Sequence, residues 1–85
     1  MFAAARNSLA RAVLRYNRQK QVYRLVVAFN VREVDERTGK YKFPQQSKCD
    51  FVSGDFVYDT LEKDLKRIMQ EARSRLRTDN IELVE

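Results

Sequence analysis

An unbroken alternation over residues 22–34 constrains this chain more than any other feature. Tyr23, Leu25, Val27, Phe29 and Val31 fall on one side of an extended backbone. Val22, Arg24, Val26, Ala28, Asn30, Arg32 and Val34 fall on the other. A repeat of two is the side-chain period of a β-strand, and the β-branched and aromatic content suits a pleated, half-buried surface. A strand cannot stand alone: its backbone polar groups need a partner and its apolar face needs cover. The rest of the sequence must supply both.

The partner predicted from sequence is a second strand over 41–52, reached through a polar turn at Asp35-Glu36-Arg37-Thr38-Gly39-Lys40, where the glycine is free to take a positive φ. Tyr41, Phe43, Cys49 and Phe51 would share one face, and Lys42, Gln46, Lys48 and Asp50 the other. Pro44 has no N–H to donate, which places this strand at an edge or bulges it there. The predicted pair is an antiparallel hairpin, about 22–34 with 41–52, with one apolar face.

Cover is expected from two helices. Leu61, Leu65, Ile68, Met69, Ala72 and Leu76 keep to helical spacing, which predicts a helix over about 56–77 opened by Ser53-Gly54-Asp55. Asp59–Lys63, Glu62–Lys66 and Glu71–Arg75 are acid-before-base pairs four residues apart, the favourable order. A first helix is expected over about 3–19. Phe2, Ala5, Leu9, Val13 and Tyr16 form its apolar stripe, and Arg11, Arg15 and Arg18 lie opposite. Ile81-Glu82-Leu83-Val84 is short enough to be an added C-terminal strand. The fold class expected is therefore α+β, one small domain over 1–85, in the order α-β-β-α with a short final β. In this reading 21–85 is the ββα core and 1–20 a basic amphipathic helix. Leu25, Val27, Phe29, Phe51, Leu61, Leu65, Ile68 and Leu76 are the expected core.

Charge is distributed unevenly. Of the net +5, the first 32 residues carry seven cations and no acid, while the remainder is close to neutral. A basic third on a neutral body points to an anionic partner or to an address label. With no histidine and a single thiol, Cys49, the usual zinc ligand sets cannot be assembled and no intramolecular disulfide exists. Two glycines, Gly39 and Gly54, are too few for a phosphate-cradling loop. Cys49 shares the parity of the apolar positions and is expected as a small core residue. Asp55, Asp59 and Glu62 share a helical edge, but dipole-complementing acids paired to lysines explain them better than a magnesium site does. These residues suggest no enzyme, no catalytic, metal or cofactor residues and no small-molecule substrate. No apolar run approaches the roughly 20 residues of a transmembrane helix.

What remains is binding. In the leading reading the chain is a cytoplasmic, nucleic-acid-associated protein, or a ribonucleoprotein subunit, that contacts the phosphates of RNA or DNA independently of sequence. Arg11, Arg15, Arg18, Lys20, Arg24, Arg32, Lys42 and Lys48 would form one basic surface. The polar face of the 22–34 strand has no aromatic residue, so base stacking is not expected there. The alternative is a protein-interaction module: a homodimer, a subunit of a larger assembly, mitochondrial ones included, or a phage-type inhibitor. Its anchors would be Tyr41, Phe56 and Tyr58. The acid-free, Arg- and Ala-rich stretch Met1 to Lys20 also reads as a mitochondrial targeting segment, or as a helix lying weakly on an anionic membrane.

Overall fold

The computed structural model describes residues 9–84. The first part of the alternating segment, Val22–Ala28, is a strand as expected, whereas 29–34 leaves the sheet, and the main partner of the strand precedes it. Strand β1 (Ala10–Asn17) runs antiparallel to β2 (Val22–Ala28), with Leu14 opposite Leu25 and Ala12 opposite Val27. The two-residue β3 (Phe51–Val52) pairs with the other edge of β2. After helix α1 (Leu61–Leu76), β4 (Ile81–Val84) returns beside β1 and runs parallel to it. The result is a four-stranded mixed sheet in the order β3-β2-β1-β4 with one helix, a small α+β domain. Among the described residues no helix is long and apolar enough to cross a membrane.

The first correction concerns residues 3–19. The part over 3–8 lies outside the described residues, and Ala10–Asn17 is an interior strand rather than a helix. Ala10, Ala12, Leu14 and Tyr16 also alternate, and pairing with β2 over seven register pairs rewards that period by satisfying the backbone groups that point toward β2. Local helix propensity, a few tenths of a kcal/mol per residue, does not compete with this. The reading of that stretch as an amphipathic helix, whether a targeting segment or lying on a membrane, therefore fails over Ala10–Asn17. The core extends to include Ala10 and Ala12, both with no exposed surface.

A tight reversal joins β1 to β2. Asn17 Oδ1 accepts from the backbone N–H groups of Gln19 and Lys20, and Gln21 takes a left-handed conformation with φ of 55°. Asn17 is thus the side chain that shapes the hairpin end.

The second correction concerns 41–52. Only Phe51 and Val52 pair with β2, and the predicted long hairpin is absent. Its turn does exist: Gly39 has φ of 71°, Val34 bridges Tyr41, and Lys42 N–H bonds Glu33 C=O. Beyond it, Pro44 supplies no N–H, and Gln46–Lys48 curls into a single 3₁₀ turn. The segment 29–50 instead crosses the face of the sheet away from α1. There it closes over Val26 and Ala28, which are almost fully buried.

One face of the sheet makes the core. Ala10, Ala12, Leu25, Val27, Phe51 and Ile81 pack with Ile68 and Ala72 of α1 and with Phe56. Phe29, Leu61, Leu65 and Leu76 pack against this cluster half-buried, so the whole expected core set is present. Alanines at the centre of β1 and at Ala72 leave room for the helix to come close. The helix begins later than predicted, at Leu61, because Phe56 is drawn into a bridge with Tyr23 and Tyr58–Thr60 forms a 3₁₀ turn. It ends at Arg77, in the left-handed conformation with φ of 53°. Of the expected ion pairs only Glu71–Arg75 forms among the described residues, joined by Asp64–Arg67.

Ser53 carries a buried polar joint between β2 and the chain leading to α1. Its Oγ accepts from Leu25 N–H at 2.8 Å and donates to Gly54 C=O at 2.8 Å. Ser53→Ala leaves the buried Leu25 N–H without this acceptor. We expect a loss of about 1–3 kcal/mol, read as a lower urea midpoint at unchanged slope.

Candidate functional site

The face of the sheet turned away from α1 carries most of the unexplained charge. Register sets it: Arg11, Val13, Arg15 and Asn17 of β1 point there, as do Val22, Arg24, Val26 and Ala28 of β2. Arg15 and Arg24 are direct cross-strand neighbours, a like-charge pairing that is unfavourable by itself. Each guanidinium is drawn to a different acceptor. Arg15 NH2 donates to Pro44 C=O at 3.0 Å, with its guanidinium 5.9 Å from the Phe43 ring centroid. Arg24 donates twice to Asp55 Oδ1, at 3.0 and 2.6 Å, and once to Gln46 Oε1 at 3.1 Å. Arg11 lies 5.3 Å from the Tyr41 ring centroid. The arginines of β1 and β2 therefore also fasten the crossing segment 29–50 to the sheet, a cation–π and hydrogen-bonded seam worth about 0.5–1 kcal/mol per exposed ring contact.

Two open concavities flank Phe43–Gln46. One, of about 610 Å³, is lined by Arg15, Arg18 and Arg24 with Tyr16, Gln46 and Asp55 among its other walls. The other, of about 530 Å³, is lined by Arg32, Lys42 and Lys48 with Asn30, Gln45 and Glu33. Six of the eight cations expected to meet phosphate thus line these two hollows. Of the other two, Lys20 is exposed in the β1–β2 turn and Arg11 is half-buried against Tyr41. Each hollow also holds one acid, and Asp55 is committed to Arg24.

The residues expected as protein anchors do not form one patch. Tyr58 is 70% exposed and Tyr41 57%, while Phe56 is only 5% exposed and belongs to the core. Tyr41 meets Arg11 and Tyr58 meets Tyr23, from different elements. Phe56 was misread because it was assigned to a helix, where its bridge to Tyr23 is not visible. Sequence reading also missed Tyr16 as a surface aromatic, since the helical wheel buried it. In the strand it is 51% exposed, with its ring centroid 4.9 Å from that of Tyr23.

Cys49 is not in the core. It is half-buried in the crossing segment, with Sγ 3.3 Å from Gln45 C=O and 3.7 Å from Pro44 C=O. Burial pushes its thiol above the ordinary value, partly offset by the nearby Arg15 charge. A raised thiol disfavours the thiolate, the form that reacts as a nucleophile. No family model, curated protein or solved structure matches the chain.

Proposed function

We propose that this chain is a small non-enzymatic protein that binds nucleic acid, RNA or DNA, through the phosphate backbone, either free or as a ribonucleoprotein subunit. The observation that carries the reading is the placing of Arg15, Arg18, Arg24, Arg32, Lys42 and Lys48 around two hollows beside Phe43–Gln46, the stretch that Arg15 and Arg24 fasten to the sheet. Concavities lined by one dominant sign of charge concentrate a polyanion and accept phosphates one at a time. Arg24, paired to Asp55, contributes least.

Binding of this kind releases condensed counterions, so affinity falls steeply with salt. Mixed-sequence duplex RNA and duplex DNA, labelled and titrated at two salt concentrations, are expected to bind with similar affinity, roughly 10⁻⁴–10⁻⁶ M near physiological salt. The log–log slope should report several phosphate contacts. Failure of both to bind below roughly 10⁻⁴ M at low salt overturns the reading. A protein partner then becomes the better account. What favours it is the outer edge of β4, which among the described residues has no neighbour in the strand order and carries the exposed Leu83, a place for strand addition by another chain.

A further inference from the structure

Three tyrosines gather near the hairpin end, and only Tyr23 is accounted for by packing against the core. Tyr16 and Tyr23 are register partners on the helix side of the sheet, centroids 4.9 Å apart and tilted by 46°. Tyr23 is in turn 6.4 Å from Tyr58 and 6.2 Å from Phe56. Phe56 is buried and anchors the row, but Tyr16 and Tyr58 are 51% and 70% exposed. A core that needed these rings would cover them. Tyr16 also stands on the rim of the hollow lined by Arg15, Arg18 and Arg24. An open aromatic row thus meets a basic cleft around one end of the β1–β2 hairpin.

We propose that this end of the molecule is a binding site for single-stranded nucleic acid, with bases stacked on Tyr16 and Tyr58 and the adjoining phosphates held chiefly by the exposed Arg18 in the basic hollow. The site rests on the backbone-binding reading above and narrows it. Aromatic platforms beside a basic groove bind single strands without regard to sequence, because every base has a π-face. The two features lie on opposite sides of the hairpin end. A ligand must therefore turn its bases to one side and its phosphates to the other. A single strand bends and splays its bases at little cost, whereas a duplex keeps them stacked inside. Duplex binding, where it occurs, uses phosphates alone.

The test uses a short oligothymidylate and a mixed-sequence duplex of matched phosphate number. The chain has four tyrosines and no tryptophan, so its near-ultraviolet emission reports the tyrosines directly. Oligothymidylate is expected to quench that emission and the duplex is not. Tyr16→Ala and Tyr58→Ala should each weaken oligothymidylate binding by roughly five- to a hundredfold, the fold-change equivalent to losing one stacked base. Duplex affinity should stay within about twofold, and Tyr58→Phe should keep the single-strand affinity. Quenching in the unsubstituted protein decides the case even if an alanine variant folds poorly. Equal affinity for both forms, with no quenching and no tyrosine dependence, overturns the stacking site while leaving the backbone reading intact. Absence of binding to either form overturns both.

Discussion

Leu25→Ala is expected to lower the stability of this domain by about 2–5 kcal/mol, the range for truncating a fully buried leucine. The side chain has no exposed surface, sits opposite Leu14 in the sheet, and belongs to the cluster that includes Ile68 and Ala72. Relaxation of the site is restricted, because Leu25 N–H is tied to Ser53 Oγ and Leu25 C=O to Ser53 N–H. The cavity therefore stays open rather than collapsing. Scaling by chain length gives a total stability of about 4–13 kcal/mol, so the substitution removes a large share of it. Urea denaturation followed by circular dichroism is the measurement. A midpoint unchanged from the parent would show that the β2 face is assigned to the wrong layer. Leu65→Ala, on the half-buried rim of the same cluster, should cost less.

The second large effect is a loss of binding without a loss of fold. Arg18→Glu, Lys20→Glu, Lys42→Glu and Lys48→Glu together reverse four exposed cations, two charge units each, taking the formal net charge from +5 to −3. Affinity for any polyanion should fall below detection. Single reversals should each lower the magnitude of the salt slope by about one. Thermal stability should move little, since isolated surface substitutions usually stay within about 0.5 kcal/mol each. Binding retained within about tenfold would remove phosphate contact as the mode of recognition. Arg11 and Arg15 are left out deliberately. Sequence reading placed them on a free helical face, where reversal would leave the fold intact. In the structure they hold Tyr41, Phe43 and Pro44 against the sheet, so a carboxylate there would also loosen the crossing segment.

The parts legible in the sequence are those where one period dominates. The stripe from Leu61 to Leu76 admits only a helix, and Tyr23-Leu25-Val27 admits only a strand; both faces are as expected. Residues 10–17 satisfy two periods at once. Leu9, Val13 and Tyr16 recur helically, while Ala10, Ala12, Leu14 and Tyr16 alternate, and the alanines look like helix formers when they are small core residues. Only the demand of β2 for a neighbour settles the choice, and that demand is tertiary. The same error hid the site. With β1 read as a helix, Arg11, Arg15 and Arg18 form a helical face beside the sheet, whereas the strand puts Arg15 next to Arg24 within it and lifts Tyr16 onto the surface. Segment 41–52 failed for a different reason: Pro44 and the polar run Gln45–Lys48 outweigh the weak alternation of Tyr41, Phe43, Cys49 and Phe51.

The parallel pairing of β4 with β1 has a consequence for how the molecule comes into being. The β1–β2 hairpin closes over a tight turn and requires only neighbouring sequence. Ala10, however, has Ile81 as its register partner, and both lie in the core. During synthesis the hairpin is complete long before its fourth strand exists, so one edge of β1 stays open until residue 81 and those after it leave the ribosome. Closing so long a loop makes this step late in folding, since non-local pairing repays its entropy only at the end. Until then the nascent chain presents an unpaired strand edge of backbone N–H and C=O groups to its surroundings. The interval in which the chain is exposed to misassembly therefore lasts at least as long as synthesis of the segment between β2 and β4.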